Sequence, residues 1–244
     1  MNQTFDKTPG NHRRNHLIDT RKAYVLDAAR AVFEAEGLEG ASIREIAKKA
    51  GYTPGAIYSY FPSKEAIYAA LLGESLERLK VTVMSARPSA GVLHGYALTA
   101  PSRQLAGKTL AWFKFYYSNP RDLVLGFYLF QGMRPRGLTG DLNTLLNAQL
   151  IQALEPAEKA LIDMGLSQEL ALSENTATFA HGIGLLLLQH TGRIKLFKQN
   201  ADELFSRYIV QLCQRYAPTQ EQTSTNIAAT NVEEEFLARQ KPLW

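Results

Sequence analysis

Ser42-Ile43-Arg44-Glu45-Ile46-Ala47-Lys48-Lys49-Ala50-Gly51-Tyr52-Thr53-Pro54-Gly55-Ala56-Ile57-Tyr58-Ser59-Tyr60-Phe61-Pro62-Ser63-Lys64 is the stretch on which the fold turns. Ser42 and Glu45 stand at capping-box spacing (S-x-x-E), which opens a helix running to Ala50, where Gly51 ends it. Thr53 then offers a second N-cap, and Pro54 takes the first helical position, where its missing N–H costs nothing. Ile57 and Phe61 fall on one side of this second helix. Gly55, Ala56, Tyr58, Ser59 and Tyr60 are left for its other sides. Two helices this short, joined by a turn of three or four residues, follow the helix-turn-helix plan for entering a DNA major groove.

Upstream, Thr20 can cap a helix from Arg21 to Glu36, in which Val25, Ala29, Val32 and Phe33 recur at helical spacing. Gly37 and Leu38 make a stop for it, so three helices in the first sixty-odd residues surround one small core. Residues 1–19 are polar and contain His12-Arg13-Arg14-Asn15-His16; they read as a flexible basic arm, with Arg13 and Arg14 placed to reach phosphates or an adjacent minor groove. Downstream, Ser63 caps a fourth helix that starts at Lys64 and runs through Ile67, Leu71 and Leu72 into the Leu76–Val83 region. Its first turn belongs to the head and its far end to the body, which makes it a mechanical link.

The rest of the chain keeps the helical period. Arg87 to Pro101 reads as a loop. Helices are expected from Ser102 to Ser118, from Pro120 to about Gly132, and from Asp141 to about Gly165, the last with a kink or break at Pro156. Met133 to Gly140 is a turn. Ser167 or Ser173 caps the next helix, which ends at His190 after four consecutive leucines. Thr191 to Asn200 is a basic connector, and Asp202 to Tyr216 is the last helix of the body. No stretch sustains period-two alternation, so the fold class is all-α. The expected organisation is an arm over 1–19, a helix-turn-helix head over 20–66, a helical body over 67–216 and a polar tail over 217–244.

Composition bounds the function. The 244 residues are 45% hydrophobic and 20% charged, with a net charge of +4. Residues 1–64 hold 10 Lys and Arg against 7 Asp and Glu, whereas the other 180 hold 17 against 16. A basic quarter on a near-neutral remainder fits a polyanion-binding head on a neutral body. The single cysteine, Cys213, excludes an internal disulfide framework and a cysteine zinc site, and its apolar helical stripe reads it as a buried small hydrophobe. The polar N-terminus and the lack of a long apolar run point to a cytoplasmic protein. Enzyme readings lack parts: there is no Gly-rich phosphate loop, no G-x-S-x-G elbow and no H-E-x-x-H. No metal or cofactor is expected.

The run Ser42-Ile43-Arg44-Glu45-Ile46-Ala47, then Gly51-Tyr52-Thr53-Pro54-Gly55-Ala56-Ile57-Tyr58, then Phe61-Pro62-Ser63-Lys64, resembles the tetracycline-repressor (TetR) family, in order and without gaps, between Ala28 and Leu72. The resemblance implies a homodimeric transcription factor, usually a repressor, with one head per subunit. Two heads about 34–36 Å apart would then read a near-palindromic operator. It implies a base-contacting position at Arg44 and another at Ser59. It places Pro54, Gly55 and Ala56 at the groove-entering turn, and Ser42, Thr53, Tyr58, Tyr60 and Lys64 at phosphate-clamping positions. The family often carries histidine where this chain has Tyr60 and a larger side chain where it has Ser59. Base reading therefore leans on Arg44, on Arg13 and Arg14, and on DNA shape.

In the body, Trp112, Phe113, Phe115, Tyr116 and Tyr117 go round one helix, while Phe127, Tyr128 and Phe130 crowd the next. Such density reads either as ordinary core or as the lining of an apolar small-molecule cavity. The expected effector pocket is Trp112, Tyr116, Phe127 and Tyr128. His181 reads as a core or interface histidine. A dimer seam is expected at Leu185, Leu188, Phe205, Ile209 and Leu212. The functional expectation is a repressor released from its operator by a small apolar or aromatic effector. A rival is an architectural or adaptor protein that sits on DNA with the same head, recruits a protein partner and has no effector.

Overall fold

The computed structural model describes residues 9–127 and 138–216. Among them the order is α1 (Pro9–Gly40), α2 (Ile43–Ala50), α3 (Pro54–Tyr58), α4 (Lys64–Ser85), a hairpin of β1 (Val92–Leu93) and β2 (Tyr96–Ala97), α5 (Ala100–Ser118), α6 (Pro120–Gly126), α7 (Gly140–Asp163), α8 (Gln168–His190), a 3-10 turn at Arg193–Phe197 and α9 (Ala201–Arg215). The fold is all-α apart from that hairpin. Val92 pairs with Ala97 and Leu93 with Tyr96, and the intervening His94 and Gly95 both have positive φ (47° and 78°), as a two-residue hairpin turn requires. Two-residue strands are too short to leave an alternating pattern, which is why the sequence reads as loop there.

Helix boundaries depart from expectation in ways with local causes. Helix α1 begins at Pro9, so 9–19 extend it instead of forming a separate arm; residues 1–8 lie outside the described residues. Thr20 is not a cap. Its hydroxyl donates to the carbonyl of His16 one turn back (2.8 Å), a bond that lets threonine sit inside a helix. The helix breaks at Gly37 (φ 69°, ψ 174°). Helix α7 runs unbroken past Pro156. Ser167, not Ser173, caps α8, accepting from Leu170 N–H at 3.3 Å. Helix α6 ends at Gly126, and the expected continuation toward Gly132 lies outside the described residues, as does the tail over 217–244.

The head core gathers Val25, Ala29 and Phe33 of α1, Ile46 and Ala47 of α2, Ile57 of α3, then Phe61 and Ile67, all buried. Helix α4 carries that core into the body: Tyr68 meets Phe33 edge-on (6.1 Å between centroids), its hydroxyl donates to the carbonyl of Leu125 on α6, and farther along Leu79 and Val83 are fully buried. In the body, α5 touches α4, α6, α7, α8 and α9. A helix with neighbours on so many sides buries most of its surface, which accounts for the rings all round it. Trp112 meets Phe113, Phe179 and Phe205 edge-on at 6.0, 5.0 and 5.2 Å, and Phe113 stacks on Phe205 at 4.1 Å. Gly182 of α8 makes this approach possible, because a Cβ there would lie 2.3 Å from the indole and 2.8 Å from the Phe205 ring.

Candidate nucleic-acid interface

The two short helices of the head are built by their caps. The Ser42 hydroxyl accepts from Glu45 N–H (3.2 Å) and donates to the Glu45 carboxylate (2.7 Å), which also accepts from Ser42 N–H (2.9 Å). The capping box is therefore complete, and the Ser42 hydroxyl is engaged by it. Gly51 closes α2 in the left-handed conformation (φ 72°), where a side chain would be strained. Thr53 caps α3 by accepting from Ala56 N–H (3.3 Å), and Pro54 occupies the first turn. Ser63 repeats the device for α4, accepting from Ala66 N–H (3.1 Å).

Electrostatics at the start of α2 arise from this geometry. The Ser42 hydroxyl and N–H hold the Glu45 carboxyl below its ordinary range, while Glu36, desolvated and facing Glu45, is pushed up. The two contributions to stability have opposite signs. The Glu45 cap supports the head above the carboxylate range and is lost as pH falls through it. The Glu36 charge opposes folding at neutral pH and is relieved by the same acidification.

The outward surface of the motif is small and varied in chemistry. Arg44, Thr53, Pro54, Gly55, Tyr58 and Ser59 are exposed, Ala56 is half-buried, and Ile57 is fully buried behind them. Among the described residues Arg44 forms no ion pair. A Cβ placed on Gly55 would meet nothing within 4 Å. Lys48 and Lys49 are exposed in the last turn of α2.

Several expected contact residues are partly engaged within the head. Ser59 ends α3, and its hydroxyl donates to the carbonyl of Ala56 (2.7 Å), so it presents an acceptor outward. The Lys64 ammonium donates to the carbonyl of Ala41 (3.3 Å), tying the start of α4 to the residue before the α2 cap. The Tyr60 hydroxyl accepts from the Arg21 guanidinium (3.4 Å), and this bond raises the Arg21 pKa further above its ordinary value. Arg21 is the residue that sequence reasoning missed. It lies 39 positions from Tyr60, and only its basic character beside the expected start of α1 hinted at a role. The side chains of Arg13 and Arg14 lie outside the described residues.

The body places the other expected sites differently. Trp112 and Tyr116 are 1% exposed and enclosed by neighbouring rings, and burial pushes the Tyr116 phenol well up. The space beside Tyr116 and Phe127 is about 30 Å³, the room of one water, so among the described residues these side chains pack as core with no cavity of small-molecule size beside them. Phe127 is half-buried, and Tyr128 lies outside the described residues. The dimer expectation needs a similar correction. Phe205, Ile209 and Leu212 are 0% exposed and Leu185 is 7% exposed within the single chain, so they have no surface left to give a partner. Of the five, only Leu188 is half-exposed. His181 is exposed and stacks on Tyr208 at 4.3 Å, and Cys213 is buried with its thiol pushed up by desolvation. Among the described residues no group of three or more His, Cys, Asp and Glu could hold a metal ion, and no helix is long and apolar enough to cross a membrane.

Comparison with known proteins agrees with this geometry. The profile described as bacterial regulatory proteins, tetR family, matches residues 25–71, which covers the helix-turn-helix and the start of α4. The chain is 36% identical over 77 residues to the HTH-type transcriptional regulator RutR of Escherichia coli, a match over 32% of this chain and 35% of that protein. It is 48% identical over 50 residues to the A-factor receptor protein of Streptomyces griseus, over 20% and 18% of the two chains. The matched part thus spans about a third or less of these relatives' length. Among solved structures, the fatty acid degradation regulator FadR from Bacillus halodurans superposes with a TM-score of 0.56 at 19% identity, covering 86% of this chain and 97% of the other. FadR from Bacillus subtilis, solved in complex with stearoyl-CoA, gives 0.53 at 20% identity, covering 78% and 96%. Residues 25–71 thus match the tetR family of bacterial regulatory proteins, and most of the chain shares the fold of these solved structures.

Proposed function

We propose that the chain is a DNA-binding transcriptional regulator, acting in the cytoplasm as a homodimeric repressor that a small apolar or aromatic molecule releases from a near-palindromic operator. The observation that carries the DNA-binding reading is the outward surface of the head. A capped five-residue helix presents Pro54, Gly55 and Tyr58, with Arg44 beside them and the Arg21–Tyr60 bond at the edge. In this reading Arg44 reads a base edge. Thr53, Tyr58, Tyr60 and Lys64, with Ser42, hold phosphates through hydroxyls, an ammonium and backbone N–H groups, and Ser59 offers an acceptor to a base.

The homodimer rests on the outer faces of α8 and α9. Ala177, Ala180, His181 and Gly184 are exposed on α8, and Leu188 and Tyr208 are half-buried at their edge. Small residues with a few large ones suit close packing of helices from two copies. The effector is supported by the tetR-family fold and by the relative named as the A-factor receptor protein and the neighbour solved with stearoyl-CoA, and its release of DNA needs only a preference for head spacings that misfit the operator.

The Arg44→Ala substitution tests base reading. It is expected to weaken operator binding by about 1–3 kcal/mol, roughly 5- to 150-fold, and to relax preference at one base pair. Competition binding with operator and random duplexes measures it. Equal losses on both duplexes would remove Arg44 from base recognition and leave it a phosphate contact.

A further inference from the structure

The connector between α8 and α9 turns apolar side chains to solvent. Leu196, 77% exposed, is the most exposed large apolar side chain among the described residues, and Phe197 beside it is 62% exposed. Both belong to the 3-10 turn Arg193–Phe197, which is firmly held. Ile194 is buried against the body, the Thr191 hydroxyl donates to the carbonyl of Leu187 (2.6 Å), and Lys198 N–H donates to the carbonyl of Lys195 (3.0 Å). Around the two apolar groups stand Arg193, Lys195 and Lys198, all exposed. Among the described residues none of the three forms an ion pair. The acids next in sequence, Asp202 and Glu203, lie in the first turn of α9, where Glu203 pairs with Arg207 (2.5 Å). An exposed apolar pair edged by three unpaired cations suits a segment with the reverse pattern, acids beside large apolar side chains.

We propose that this turn is the docking site of the chain's own tail, through Glu233-Glu234-Glu235-Phe236-Leu237. That run complements the turn: three consecutive carboxylates against three cations, then two large apolar side chains against two. No other stretch of the chain has three acids in a row. The run is also within reach. The Tyr216 hydroxyl and the Arg215 guanidinium both donate to the Glu174 carboxylate of α8 (2.7 and 3.0 Å), so the tail departs from the end of α9 opposite the turn. Helix α9 has 15 residues and is therefore about 22 Å long. From Tyr216 to Glu233 the chain advances 17 residues, with Glu221 the only charged residue between them. A linker of that length spans up to about 56–61 Å, well over the length of α9. Tethering over so short a linker sets an effective concentration on the order of millimolar, so a contact of modest intrinsic affinity forms within one chain before a second copy competes for it. Docking covers Leu196 and Phe197 and neutralises the basic edge, which closes an exposed site for self-association.

Carbodiimide cross-linking of the full chain, which joins a carboxylate to an amine in contact with it, tests the docking when the products are read by mass spectrometry. Mixing isotope-labelled with unlabelled protein separates links within one chain from links between two. The expected products join Lys195 or Lys198 to Glu233, Glu234 or Glu235 within one chain. Two paired substitutions keep every reactive group: Leu196→Ser with Phe197→Ser on the turn, and Phe236→Ser with Leu237→Ser on the tail. Each pair is expected to lower the yield of these links about fivefold, because it removes the apolar burial that favours the docked tail. The turn pair replaces side chains that face solvent, so the fold is kept. Absence of turn-to-tail links, an unchanged yield in either serine pair, or links found only between differently labelled chains would overturn docking within the chain. Binding of the full chain to phosphatidylserine vesicles, lost in the turn pair and accompanied by no turn-to-tail link, would also overturn it and assign the turn to an anionic membrane surface.

Discussion

Trp112→Ala is expected to lower the free energy of unfolding by about 3–5 kcal/mol, the range for deleting a fully buried aromatic ring from a packed core. The indole is 1% exposed and in contact with three rings from α5, α8 and α9, so its removal opens a hole that none of them can fill without breaking other contacts. Gly182 already brings α8 against the indole, which limits further collapse. Urea denaturation followed by circular dichroism measures the effect. A loss below about 1 kcal/mol would mean that the indole borders loose space, and the reading of α5 as core would fail.

Gly55→Glu is expected to leave stability nearly unchanged and to reduce DNA affinity by about 3 kcal/mol, on the order of a hundredfold, through like-charge contact and a blocked backbone approach. The structural half comes from open space: a Cβ on Gly55 meets no atom within 4 Å, and the residue is exposed in the first turn of α3. The functional half comes from where that space lies. If the N-terminus of α3 enters a major groove, a carboxylate there faces base edges and phosphates at close range. Thermal melting and fluorescence anisotropy on the same preparation separate the two. An unchanged melt with undiminished DNA affinity would take α3 out of the groove.

The head was legible in the sequence because its signals are local. Ser42 and Glu45, Thr53 and Pro54, and Ser63 before Lys64 each announce a helix start within four residues, and all three caps form as their spacing implies. Thr20 misled because a threonine that donates back to His16 leaves the same trace in sequence as one that caps. The Arg21–Tyr60 bond was not legible, since it joins positions 39 apart that only the folded head brings together.

The body was legible in class but not in detail. Periodicity identified α8 and α9, yet a wide apolar stripe does not say which part of it faces inward. Phe205, Ile209 and Leu212 are buried within the chain, whose α9 packs on α5, leaving Ala180, Gly184 and Tyr208 nearer the surface. Likewise, aromatic density predicts either core or cavity, and only packing decides. Gly182 decides it here by admitting the indole where a side chain would otherwise stand. The cleft lined by residues of α1, α4 and α6 had no sequence signature at all. Arg30, Arg78 and Arg121 are scattered along three helices and become one feature only when α1, α4 and α6 meet.

Selection of bound sites from random duplex DNA, with sequencing of the recovered pool, tests the central claim most directly. The account predicts enrichment of a two-fold symmetric site whose half-sites are centred about 34–36 Å apart, or a multiple of one helical turn, with binding that weakens steeply as salt rises. Recovery of no enriched sequence, with affinity for DNA indifferent to salt, would contradict it.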